Sequence, residues 1–144
     1  MHTRRLQEFG FQLPNIAVLD TAEADAYTDL PIDAIYISGG NPFQTLDRLK
    51  KCGFDKAIVR YVNNGVTYIG GSAGTHIATK NLEHVRDFDG YDTGLPDMDA
   101  LGLFDGIIFC RYTKEREPFY KAALARSRFP VYTLTDGESL IVDQ

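Results

Sequence analysis

The feature that most constrains this chain is an alternation of short, continuous apolar runs with longer segments of helical period. Ala34-Ile35-Tyr36-Ile37, Val66-Thr67-Tyr68-Ile69, Gly106-Ile107-Ile108-Phe109-Cys110 and Val131-Tyr132-Thr133-Leu134 are rich in β-branched and aromatic residues. They are too short for buried helices and are bounded by turn residues, so each reads as a strand. Between them the period changes. Pro42 stands at a first helical position, and Phe43, Leu46 and Leu49 follow at helical spacing up to Gly53. Phe54, Ile58, Tyr61 and Val62 repeat at i, i+4, i+7 and i+8 before Gly65. A helix over 115–127 has Pro118 in its first turn and sets Phe119, Ala122 and Ala123 on one face. Strands without polar alternation, joined by helices, require a mostly parallel sheet covered on both faces. The fold class is α/β.

The remaining segments are read in the same way. A polar opening ends a helix at Gly10, and Asn15-Ile16-Ala17-Val18-Leu19 is a further short strand between Pro14 and Asp20. Residues 20–31 form a loop or one weak helical turn. A short helix runs from Ala73 to about Lys80, and 83–102 is a long irregular stretch rich in Asp and Gly. Thr135-Asp136-Gly137-Glu138 is a hairpin turn into a last strand, Ser139-Leu140-Ile141-Val142. At 144 residues the chain is one domain, 1–144, without internal repeats.

Charge and composition narrow the partners. A net charge of −5 with no block of like charges excludes nucleic acid and anionic membrane as natural partners. The aromatic residues spread along core positions and form no base-stacking platform. No apolar run is long enough to span a membrane, and the N-terminus lacks the apolar stretch of a signal peptide. Cys52 and Cys110 are too few for a disulfide scaffold and fit the cytoplasm. Cys110 is either a reactive thiol or, as is commoner at a strand end, simply buried. Asp87, Asp89, Asp92, Asp97 and Asp99 lack the spacing of a calcium loop and read as a solvated loop.

Gly70-Gly71-Ser72-Ala73-Gly74 matches G-x-S-x-G, with a strand before it and a helix after it. Such a turn holds its serine in a strained conformation at the carboxyl end of the sheet and closes only with small neighbours. The backbone N–H of Ala73 is then free to face a developing oxyanion. The plain alternative is a glycine-rich turn with no chemistry. Gly39-Gly40-Asn41 ends the preceding strand, hence at the same sheet edge. It either supplies a second oxyanion donor or caps the next helix through Asn41.

With Tyr36-Ile37-Ser38-Gly39-Gly40-Asn41-Pro42-Phe43 and the 65–74 segment, the chain resembles the peptidase E (aspartyl dipeptidase) family of serine peptidases. The likeness continues through Asp99-Ala100-Leu101-Gly102-Leu103-Phe104-Asp105 and the segment from Asp136 to Val142. The resemblance implies a flavodoxin-like, class I glutamine-amidotransferase-like fold. It also implies hydrolysis of small peptides with an N-terminal aspartate through a Ser-His-acid triad, without metal or cofactor. On this match Ser72 is the nucleophile, and Ala73 and Gly40 are the oxyanion donors. The triad acid is Asp136, with Glu138 as second choice.

Two departures from the family pattern stand out. The family histidine follows the strand after the long loop as Pro-His-Tyr; here Cys110-Arg111-Tyr112 puts Arg111 in its place. A guanidinium stays protonated and cannot serve as general base. The three histidines that remain are His76, one turn past Ser72; His84, at the head of the long loop; and His2, in the opening helix. The family's first strands also have no counterpart, so the chain reads either as a fragment or as an N-terminally shortened homologue that covers the gap by self-association. A homodimer built on the exposed sheet edge is the expected compensation. Two functions follow: a serine dipeptidase homologue of impaired or absent activity, or a pseudoenzyme binding a small acidic ligand or protein partner in the remnant cleft. Arg111 suits the second, since a fixed cation pairs with a carboxylate.

Overall fold

The computed structural model describes residues 2–19, 21–90 and 94–143. Its helices are α1 (His2–Glu8), α2 (Pro42–Lys51), α3 (Phe54–Asn63), α4 (Ala73–Ile77), α5 (Arg86–Asp89) and α6 (Glu117–Arg126). Its strands are β1 (Ala34–Ile37), β2 (Thr67–Gly70), β3 (Ile107–Cys110) and β4 (Val131–Leu134). The strands form two parallel pairs: β1 with β2, Ile35 opposite Tyr68, and β3 with β4, Ile108 opposite Tyr132. The fold is α/β, with short parallel strands flanked by helices.

Local chemistry accounts for most of these elements. Asn41 Oδ1 accepts from the N–H groups of Phe43 and Gln44, capping α2 while Pro42 takes its first turn. Phe43, Leu46 and Leu49 of α2 pack with Phe54, Ala57, Ile58, Tyr61 and Val62 of α3 in the core. The Tyr61 hydroxyl accepts from Leu30 N–H at 2.7 Å and donates to the Tyr27 carbonyl at 2.7 Å. The 3₁₀ turn at Thr21–Tyr27 is thereby tied to α3.

Several expectations need correction. No strand forms over Asn15–Leu19: a 3₁₀ turn at Leu13–Asn15 leads into unpaired chain, and Val18 is exposed. Nor does one form over Ser139–Val142, where Ile141 is 85% exposed. A run of β-formers becomes a strand only where a neighbour takes its backbone bonds, and neither run meets one among the described residues. The two strand pairs are also unequally covered. β3 is buried along its whole length, whereas Ala34, Thr67 and Ile69 leave the outer face of β1 and β2 open. On α6 only Ala123 is buried; Ala122 and Phe119 are exposed. Residues 83–90 and 94–102 hold more regular structure than their composition implies. They hold a 3₁₀ turn at Glu83–Val85, then α5, and Asp99 forms an antiparallel bridge with Asn81 just before the stretch. Asp97 accepts from Lys50 Nζ at 2.8 Å and Asp87 from Arg126 at 3.0 Å, so these carboxylates staple the loop down. Asp92 lies outside the described residues.

The turn between β2 and α4 is the tightest crossing in the fold. A Cβ at Gly70 would stand 2.7 Å from the Gly74 carbonyl, and one at Gly74 would run into the carbonyl of Ile37 in β1. A Cβ at Gly71 would meet nothing within 4 Å. Gly74→Ala should therefore lower stability by about 3 kcal/mol, a fall of roughly 10 °C in Tm. Gly71→Ala should stay within about 0.5 kcal/mol of wild type. Thermal denaturation of the two variants checks the contrast; equal effects would contradict it.

Candidate active site

Ser72 sits between β2 and α4 with φ 52 and ψ −108, a backbone conformation in which non-glycine residues are rare. Its neighbours fix it there. Gly71 N–H donates to the Ile37 carbonyl at 2.9 Å and Gly74 N–H to the Ser38 carbonyl at 3.2 Å. The Thr75 hydroxyl donates to the Gly70 carbonyl at 3.0 Å, and the Tyr68 hydroxyl to the Gly74 carbonyl at 2.6 Å. Burial pushes the Tyr68 phenol well above its ordinary range, so it stays a donor. Ser72 itself is exposed, while Ala73 is buried as the first residue of α4. At that position its N–H has no partner within the helix.

The Gly39-Gly40-Asn41 turn lies alongside. A Cβ on Gly39 would stand 3.7 Å from Ser72 Cβ, and Gly40 adopts φ +138. Asn41 is bifunctional. Its Oδ1 caps α2, and its Nδ2 donates to the main-chain carbonyls of Asp89 at 2.8 Å and Gly90 at 3.4 Å. The end of α5 is therefore anchored to the turn beside Ser72.

Arg111 directly follows β3 and has φ 55; it and Ser72 are the two non-glycine residues with positive φ among those described. Its Nε lies 3.9 Å from Asp136 Oδ1, both side chains largely in solvent. Glu138 is turned elsewhere: its Oε2 accepts from Thr135 N–H at 2.6 Å, closing the 135–138 turn and holding its carboxyl below the ordinary range. Cys110 is buried, and burial, against a hydrogen bond with Thr75, pushes its thiol up to about 11. It is a neutral thiol at physiological pH.

Neither His76 nor His84 is bonded to Ser72. Both turn to one backbone acceptor, the Ile108 carbonyl, His76 Nδ1 at 3.1 Å and His84 Nε2 at 2.9 Å. Ile107 N–H points to Pro130 in the chain leading into β4, so by strand alternation the Ile108 carbonyl faces the opposite edge of β3. No strand pairs there among the described residues. The two rings meet edge to face with centroids 5.3 Å apart and fill both lone pairs of that oxygen. The side chain of His2 lies outside the described residues.

Phe88 and Arg116 carry no signal of this grouping in the sequence, and Asp89 reads there only as part of a solvated loop. Phe88 packs against His76, Phe109 and Phe119, and the Arg116 guanidinium lies 5.0 Å over its ring. Burial raises the Asp89 carboxyl, opposed by the nearby charges of Arg116 and Arg111. Periodicity carries no trace of this grouping, whose contacts join distant segments: Asn41 reaches the Asp89 main chain across 48 residues, and Arg116 lies over the Phe88 ring. Among the described residues no group of three or more His, Cys, Asp or Glu side chains converges as metal ligands would. No helix among them is long and apolar enough to cross a membrane.

The model of peptidase family S51 matches residues 2–144. An uncharacterized peptidase of Pasteurella multocida is 37% identical over 109 residues, which are 73% of this chain and 52% of that protein. Peptidase E of Streptomyces coelicolor is 31% identical over 121 residues, 77% of this chain and 49% of that one. The crystal structure of a candidate peptidase E from Listeria monocytogenes superposes with a TM-score of 0.68 at 28% identity. The match covers 83% of this chain and 59% of that one. The shared fold is flavodoxin-like. The chain spans about half the length of the curated relatives it matches.

The paired imidazoles make stability depend on acid. Burial is the main cause that lowers His76 to about 3, helped by the charges of His84 and Arg116, and His84 to about 4; the bond to Ile108 opposes it in both. The folded state thus binds fewer protons than the unfolded chain, where both groups titrate near 6.5. Their contribution is full above pH 6.5 and falls as pH drops through 6 towards 4, at about 1.4 kcal/mol per histidine per pH unit. Urea midpoints between pH 7 and 5 should decline accordingly, and less steeply in His84→Gln. A flat profile in the wild type would contradict this.

Proposed function

The chain belongs to peptidase family S51, and on that premise we propose a serine-hydrolase site of the aspartyl dipeptidase type whose general base has been replaced by arginine. The observation that carries the reading is the backbone of Ser72. A serine at φ 52, between a strand and a helix and crowded by Gly70 and Gly74, is the geometry of a nucleophile elbow. In this reading Ser72 Oγ attacks the peptide carbonyl next to an N-terminal aspartate. The N–H groups of Ala73 and Gly40 hold the oxyanion, a contribution of roughly 3 kcal/mol per donor in comparable sites. Asp136 is the acid of the constellation in preference to Glu138. It faces Arg111 at 3.9 Å, as a triad acid would face its histidine, whereas Glu138 is committed to its own turn.

Arg111 then explains the chemistry that is lost. Its guanidinium keeps its proton and cannot accept one from Ser72, while His76 and His84 are committed to Ile108. Without a base the hydroxyl remains a weak nucleophile. The same cation favours the second reading, a pseudoenzyme that holds a small acidic ligand, or a partner presenting a carboxylate, in the cleft. The two free cysteines support a cytoplasmic setting. We also infer self-association into a homodimer, supported by the open face of β1 and β2 and by exposed Phe9, Leu13, Val18 and Ile141.

Arg111→His should raise hydrolysis of Asp-X dipeptides at least about tenfold over a low wild-type rate, and a further Ser72→Ala should abolish the gain. A fluorophosphonate should label Ser72 faster in Arg111→His than in wild type. Strong wild-type hydrolysis would refute the loss of the base, and no labelling in either protein would refute the nucleophile. Light scattering at micromolar concentration tests the dimer; a stable monomer rejects it.

A further inference from the structure

His84 has a second ring nitrogen that its bond to β3 leaves over. Nε2 stands 2.9 Å from the Ile108 carbonyl, and a carbonyl only accepts, so Nε2 carries the proton. Nδ1 is then a bare acceptor, and burial, which holds the ring below its ordinary titration range, keeps it so at physiological pH. His84 is only 3% exposed, and among the described residues nothing donates to its buried Nδ1. A lone pair shut away from water without a donor is a cost to the fold.

The same histidine lines a cavity of about 30 Å³ between the 3₁₀ turn at Glu83–Val85 and the carboxyl end of α6. One water molecule needs roughly 10–15 Å³, so the space admits something larger. Ile107 and Ala123 are its buried apolar lining, and Glu83, Arg126 and Arg128 are its exposed charged residues. Arg126 gives one N–H to Asp87 at 3.0 Å, and its guanidinium has four others. The guanidinium carbon of Arg128 lies 5.5 Å from the centre of the Phe129 ring. Ile107 begins β3 whereas Arg111 follows its end, so the cavity is separate from the candidate active site.

An occupant of this cavity must donate to Nδ1 and accept from guanidinium groups. We propose that it is a binding site for inorganic phosphate, with a P–OH group donating to His84 Nδ1 and the remaining oxygens accepting from Arg126 and Arg128. The bare nitrogen makes the site selective. Near neutral pH phosphate keeps at least one proton, whereas sulfate has none and would set an oxygen against the nitrogen lone pair. The carboxylate of Glu83 opposes a multiply charged anion, which again favours one that stays protonated. Bound phosphate would also fix the tautomer that holds the Ile108 carbonyl, and so stabilise the folded chain. The site makes no use of Ser72 and stands apart from the hydrolase reading.

Calorimetric titration of the intact protein with sodium phosphate and with sodium sulfate, at neutral pH and equal ionic strength, tests the site. Phosphate should bind at least about tenfold more tightly than sulfate, the scale of one hydrogen bond gained or lost at a charged group. Arg128→Gln, at an exposed position, should weaken phosphate binding about tenfold. In nitrogen-15 spectra the His84 Nδ1 resonance, identified by its loss in His84→Gln, should move on adding phosphate and stay in place on adding sulfate. If His84→Gln does not fold, the anion ratio and Arg128→Gln still decide the matter. No binding of phosphate up to about 20 mM overturns the proposal, as does equal affinity for the two anions. Phosphate binding that Arg128→Gln leaves unchanged, or a His84 resonance unmoved at saturation, overturns it as well.

Discussion

One backbone oxygen, the Ile108 carbonyl, sits at the centre of the join between the two halves of this fold. β1 and β2 pair with each other, β3 and β4 pair with each other, and no ladder connects the two pairs among the described residues. What spans them is α4, and α4 is held to β3 through the Ile108 carbonyl. His76 reaches it from the helix and His84 from the 3₁₀ turn at Glu83–Val85. An edge carbonyl buried without a partner would cost about 1–3 kcal/mol. Here two imidazoles take both lone pairs, and Phe88 and Phe109 close around them. The neighbouring backbone strengthens the join, with Lys80 N–H on the Gly106 carbonyl and Leu101 N–H on that of Ile77.

That arrangement has a chemical corollary. A histidine can act as a base only if a ring nitrogen reaches the substrate side and its charged form is tolerated. His76 and His84 meet neither condition, being buried and fixed as donors to one carbonyl. The site at the strand ends is left with a serine in a strained turn and a set of permanent charges. Support and display have been divided between residues only a few positions apart: His76, which is buried and holds the join, and Ser72, which stands exposed in its strained turn.

Much of this was legible in the amino-acid order. The four strands were visible as apolar runs, and the boundaries of α2 and α3 were set by Asn41-Pro42, Gly53 and Gly65, whose conformations are local matters. The crowding at Gly70 and Gly74 was implicit in the pentapeptide around Ser72. Properties that depend on a neighbour were not legible. Ile16 to Leu19 and Leu140 to Val142 have strand composition, but composition does not supply the adjacent strand. The roles of His76 and His84 turn on which carbonyl the topology leaves unpaired. The end of α5 comes beside the glycine turn because the chain folds back on Asn41, a contact no periodicity announces.

Asn41 shows how narrow such a requirement is. Its amide is used from both ends, the oxygen turned to the first N–H groups of α2 and the nitrogen to the carbonyls of Asp89 and Gly90. Aspartate and serine cap helices as well as asparagine does. An ionised aspartate, however, presents only acceptors and would set oxygen against oxygen at Asp89, and a serine hydroxyl has one proton and a shorter reach. The position therefore calls for a side chain with opposite polarity at its two tips. Its orientation makes the glycine turn and α5 a single mechanical body, so that a motion exposing one must carry the other with it.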